Sequence, residues 1–134
     1  NNISIDLFIN TRSFSEMNKI DIKNYFEFIH KNISEKGYFF NSNRYEKSAS
    51  HTSIRFNKFP YDKFWQVIFS KPSFGQEQKI HTLITKRNKK NYNLIEELNK
   101  ISKITSSIIK QNKINKLNVL KNKLIRFIKR IIGK

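Results

Sequence analysis

The first apolar stretch, residues 3–10, is nearly continuous rather than alternating, the pattern of a strand covered on both faces, and it predicts a buried parallel strand. It breaks at Thr11-Arg12-Ser13 into a polar, charged turn. Ser13 and Glu16 have the spacing of a capping box, so a helix is expected to start there. Apolar positions Ile22, Tyr25, Phe26, Ile29 and Ile33 recur at three and four residues, and Gly37 supplies a left-handed position to end that helix. Residues 38–41 read as a second short strand. Together they make a βαβ unit that puts two polar loops, residues 10–13 and 43–47, on one edge of the sheet, where open α/β sheets bind ligands.

Two further strands are predicted at residues 65–70 and 80–85, joined across the turn at 72–75. So short a connection favours an antiparallel pair. Beyond Arg87 the periodicity becomes helical. Leu94, Leu98, Ile101, Thr105 and Ile108 mark one amphipathic face and Leu117, Leu120, Leu124, Phe127 and Ile131 another, with residues 111–115 expected to separate two helices. The fold class expected is α/β, a β-α-β unit followed by an antiparallel strand pair. Residues 1–87 form the partial domain and residues 88–134 a basic helical extension.

At 134 residues there is room for one core and an appendage. The chain opens on Asn1 rather than Met and enters a strand within three residues, and is expected to be a piece starting inside a fold. The absence of cysteine excludes disulfides and thiolate metal sites. No apolar run approaches the roughly 18 residues needed to span a bilayer.

The net charge of +17 is unevenly placed. Residues 1–87 hold 14 Lys/Arg against 8 Asp/Glu, whereas residues 88–134 hold 13 against 2. That asymmetry supports a rival reading, a non-enzymatic basic module that binds RNA or an anionic membrane through its tail. An apolar stripe flanked by lysines favours the membrane over nucleic acid, and two placements stand for residues 116–134: in the plane of that surface, or with the stripe laid on the chain's own domain and the lysines in water. A decayed or truncated reading frame is a third possibility.

Residues 6–13 with Glu16-Met17, then Asn43-Arg44-Tyr45-Glu46-Lys47, Pro60-Tyr61-Asp62 and residues 80–87 together resemble the C-terminal half of a bacterial family of sugar O-methyltransferases. The resemblance covers residues 3–87 and leaves the tail outside it. It implies the C-terminal half of a doubly wound, Rossmann-like sheet that uses S-adenosylmethionine. The first two strands here would be its fourth and fifth, and the last two its sixth and seventh, one of them antiparallel. It implies methylation of a sugar in a surface polysaccharide or its precursor by a cytoplasmic enzyme, and the basic tail, outside the resemblance, is what could place it peripherally at the inner face of the membrane.

On that reading Asn10, Arg12, Ser13 and Glu16 lie beside the methyl-transfer point, and Asn43, Arg44 and Tyr45 line the sugar or glycan acceptor. The reaction is attack of a hydroxyl on a sulfonium methyl, so the protein mainly positions the reactants. Arg12 or Arg44 suits a phosphate or carboxylate on the acceptor, and His51 is the candidate base. The plainer roles are helix capping for Ser13 and Glu16 and a surface ion pair for Arg44. The cofactor-binding residues are expected in an N-terminal half, since no glycine-rich turn follows a strand anywhere in these residues. No metal-ligand set is visible, although Asp6 and Glu16 could join ligands from elsewhere. His30 is expected to be solvated or to stabilise a helix dipole and His81 to be packed, with the aromatics of residues 38–40 and of Trp65 and Phe69 in the core.

Overall fold

The computed structural model describes residues 3–46, 54–73 and 79–132. Strand β1 (Ile5–Thr11) leads through a short 3-10 turn (Ser13–Glu16) to helix α1 (Lys19–Asn32) and strand β2 (Ile33–Arg44). A second 3-10 turn (Phe56–Lys58), strands β3 (Trp65–Pro72) and β4 (Ile80–Arg87), and helix α2 (Leu94–Ile132) follow. The expected α/β architecture is present as a four-stranded mixed sheet ordered β1-β2-β4-β3. β1 and β2 are parallel, while β4 runs antiparallel to both its neighbours.

One face of the sheet is dry. The side chains that alternate onto it include Phe39, Leu83 and Trp65, and the buried stripe of α1, formed by Ile22, Phe26 and Ile29, lies among the same core residues. Phe14, from the first 3-10 turn, stacks edge-on or tilted with Phe26, Phe39 and Phe59 at centroid distances of 5.3–6.3 Å. The other face is open. Ile9 pairs with Phe40, Phe40 with Ile84, and Ile84 with Phe69, so an apolar row crosses all four strands.

Several local expectations are overturned. Among the described residues β1 is an edge strand and is not covered on both faces: Leu7 and Ile9 are 54% and 60% exposed. Ser13 and Glu16 do not cap α1. Asn18 does, its side-chain oxygen accepting from the backbone N–H groups of Ile20 and Asp21 at 2.8 and 3.0 Å. Gly37 does not end the helix. α1 stops at Asn32, and the left-handed backbone falls on Lys36, with φ 76°, inside β2.

A local bulge explains the early strand start, because Ile5 pairs with Ile33 but Leu7 already with Tyr38. Gly37 is needed there for space: a Cβ would sit 2.9 Å from Ile33 Cγ1 and 3.0 Å from the Ile5 carbonyl oxygen. Gly37→Ala is expected to cost about 1–3 kcal/mol through this overlap, measurable as a lowered urea midpoint with unchanged slope.

β2 also continues past residue 41, so Ser42, Asn43 and Arg44 are strand rather than loop residues. They stay extended because β4 pairs with them through Thr82, His81 and Ile80. Tyr38 and Phe69, expected in the core, are 39% and 41% exposed because they alternate onto the open face. Residues 111–115 do not separate two helices. α2 is continuous, and Gln111 donates to Asn115 at 3.1 Å across one turn.

Contacts divide the chain into two compact units, Asn1–Ser102 and Lys103–Lys134. The first holds the sheet, α1 and the opening turns of α2, in which Leu94 and Ile101 are buried. The second is helical, and from Lys110 to Ile131 its residues are exposed. Among the described residues no helix is long and apolar enough to cross a membrane.

Candidate functional site

Asn10 and Asn41 are register partners near the carboxyl ends of the parallel strands, and Asn43 follows two residues later on the same face. All three side chains are buried. The Asn43 amide donates to Asn10 Oδ1 at 2.8 Å and to Asn41 Oδ1 at 2.6 Å. Asn10 in turn donates to Ser13 Oγ, and Asn41 to the Tyr61 hydroxyl at 2.8 Å. Burial raises the Tyr61 pKa, the Asn41 bond only partly offsetting it, so the phenol stays protonated.

The chain of amides is complete except at one atom: Asn43 Oδ1 is buried and accepts nothing from the described residues. Asn10→Ala, which would also strand an amide proton of Asn43, is expected to cost about 1–3 kcal/mol in denaturant unfolding.

The strand ends in a strained connection. Arg12 adopts φ 62°, unusual for a residue with a Cβ, while its backbone N–H donates to the Ser42 carbonyl at 2.8 Å and its own carbonyl accepts from Ser15 Oγ. Beside it lies a cleft of about 640 Å³ with Asn10, Thr11, Ser13 and Asn24 among its polar lining and the rings of Tyr25 and Phe28 among its apolar lining. Such a mixed lining suits a ligand with hydroxyl groups around an apolar frame.

Of the residues expected at a site, Asn10, Ser13 and Asn43 are brought into one network. Arg12, just past β1, Glu16, at the end of the first 3-10 turn, and Arg44 are exposed. Arg44 is the last residue of β2. His51 lies outside the described residues.

Tyr45 does not line an open acceptor surface. It is buried, and its hydroxyl meets His81 Nδ1 at 2.9 Å. His81 Nε2 lies 2.8 Å from Ser70 Oγ, and Ser70 donates to Glu97 on α2. Because Ser70 spends its only proton on Glu97, His81 must donate from Nε2 and accept from Tyr45 at Nδ1. Burial pushes the Tyr45 phenol up to about 12. It also pushes His81 down to about 4, with Glu97 opposing that only in part.

A third cluster joins α1 to the sheet. Trp65 Nε1 donates to His30 Nε2 at 3.2 Å, and His30 Nδ1 lies 3.8 Å from Asp62, which accepts from Arg87 at 2.6 Å. His30 is thus half-buried rather than solvated. Burial lowers its pKa despite Asp62. Burial works to raise the Asp62 pKa, but the Arg87 bond and the Phe64 N–H together leave it lowered.

Buried or half-buried links thus join separate stretches of the chain: Asn10 to Asn43, Tyr45 to His81, Tyr61 to Asn41, and Asp62 to Arg87. Among the described residues no group of three or more His, Asp or Glu side chains is gathered to hold a metal ion. No protein-family model, curated protein or solved structure matches the chain.

Proposed function

We propose that the chain forms the acceptor side of an S-adenosylmethionine-dependent O-methyltransferase acting on a sugar of a surface polysaccharide or its precursor. The observation that carries this reading is the Asn10–Asn43–Asn41 network at the carboxyl ends of the parallel strands, beside a cleft lined by both polar groups and rings. Strand order supports it: two parallel strands come first, and the last strand is the antiparallel one. A carboxamide both donates and accepts, so Asn10 and Asn24 suit sugar hydroxyls while Tyr25 suits the face of a sugar ring.

The residues present do not make a cradle for the methyl donor. No glycine-rich turn follows β1 or β2, and the cleft lining contains no carboxylate to hold a ribose. On this reading the donor is held by residues outside this chain, in the cytoplasm, and this chain binds and orients the acceptor and excludes water from it.

The test is methyl transfer from labelled S-adenosylmethionine to nucleotide sugars and glycans by the full-length protein. Turnover is expected, with Asn24→Ala raising the acceptor KM about tenfold, the loss of one or two hydrogen bonds, at little change in kcat. Donor binding without transfer to any sugar would leave the acceptor assignment wrong; neither binding nor transfer would remove the whole reading.

A further inference from the structure

No Asp or Glu follows Glu97, and residues 110–131 of α2 are exposed on every side. At about 100° per residue, Leu117, Leu120, Leu124, Phe127, Ile128 and Ile131 fall within an arc of about 100°, which Ile114 and Ile125 widen to about 160°. These are large side chains left in water: Leu117, Phe127 and Ile131 are 60% or more exposed. Lys116 and Lys123 border the arc, and Arg126, Lys129 and Arg130 occupy the opposite face. Val119 alone sits on the polar side. Lys110, Lys113 and Lys121 fall inside the apolar arc, where long stems let their ammonium groups reach water.

Three kinds of occupant compete for this stripe. A second copy of the helix could use the three-four spacing of Leu117, Leu120, Leu124, Phe127 and Ile131 as a coiled-coil seam. That seam spans only two heptads, and Lys116, Lys121, Lys123 and Arg130 take its flanking positions with no acid to meet them. Two copies would face each other with like charges. RNA would satisfy the lysines but leave the leucines in water. An anionic bilayer surface satisfies both, taking the apolar arc below the headgroups and the cations among them.

We propose that residues 110–131 lie in the plane of an anionic lipid surface and hold the protein there. This stands on the helix alone and is independent of the methyltransferase reading. The helix is too charged to cross the bilayer, so the attachment is peripheral and reversible.

The experiment is co-sedimentation of the whole chain with phosphatidylcholine vesicles with and without phosphatidylglycerol. Partitioning is expected to favour the anionic vesicles about tenfold or more and to weaken at high salt. Leu120→Asp with Leu124→Asp is expected to lower it by more than about tenfold, because each leucine leaves the acyl boundary. Both positions are exposed, so the far-ultraviolet circular dichroism of the variant serves as the folding check.

A second measurement does not depend on that variant. Phe127→Trp should gain a blue-shifted emission component, quenched by brominated lipid, only with anionic vesicles. Equal binding to neutral and anionic vesicles, no binding, a leucine variant that binds like the parent, or an unshifted emission from the Phe127→Trp variant would each overturn the proposal. Retained binding of a single-stranded RNA by the leucine variant, with vesicle binding also retained, would overturn it too and assign the segment to charge alone.

Discussion

Trp65→Ala is expected to lower the unfolding free energy by about 3–5 kcal/mol, a large share of the roughly 5–15 kcal/mol that a domain of this size possesses. Trp65 is fully buried at the start of β3, with its ring 5.9 Å from that of Phe39 and 6.1 Å from that of Tyr61. Its indole N–H holds His30 on α1, and the Arg87 guanidinium lies 5.0 Å from its ring. Truncation therefore leaves a cavity, strips from Arg87 one aromatic partner while Phe64 remains, and frees a half-buried imidazole. Trp65→Phe, which keeps much of the volume, should cost clearly less. Urea unfolding followed by circular dichroism measures both, and a loss under about 1 kcal/mol for the alanine variant would show that this ring is not the keystone of the dry face.

Acidification should destabilise the fold through His81. Its folded-state pKa of about 4 lies below the ordinary value of 6.5, so between those values the unfolded chain binds the extra proton. Stability is then greatest above pH 6.5 and falls as the pH drops toward 4, by up to about 3 kcal/mol. Protonation at Nδ1 would also set two donors, His81 and Tyr45, against each other. His30, likewise lowered by burial, adds to the slope with the same sign. The decisive measurement is the difference between the parent and His81→Asn: the variant is expected to be less stable at neutral pH and to show a shallower decline between pH 6.5 and 4. An unchanged slope would mean that His81 does not titrate in that window.

The element types were legible where periodicity was strong. The apolar run read at residues 3–10 appears as β1 at Ile5–Thr11, and the three-four stripe Ile22–Phe26–Ile29 and the two late strands appear where the pattern puts them. Boundaries were lost where tertiary pairing outweighs local signals. Gly37 looks like a helix stop but serves a close approach to the Ile5 carbonyl, and residues 42–44 look like a loop until β4 pairs with them.

The candidate site was half legible. Asn10, Ser13 and Asn43 meet, although Asn43 does so from a strand. Asn41 was missed despite a usable signal, since Asn41 and Asn43 stand two apart after an aromatic strand and must face the same way. Nothing in the sequence separates Tyr45 from the acceptor surface. Its partners His81, Ser70 and Glu97 are brought to it by three different elements.

Parallel strand pairs are ordinarily buried on both faces, yet the parallel pair here is sealed on one side only. The row Ile9–Phe40–Ile84–Phe69 and the edge of β1, unpaired among the described residues, therefore give the chain a sticky corner, where a wet apolar strip meets free backbone donors and acceptors. A wet apolar row beside an open strand edge is a template for pairing, so this corner is where a further strand or a covering layer would add.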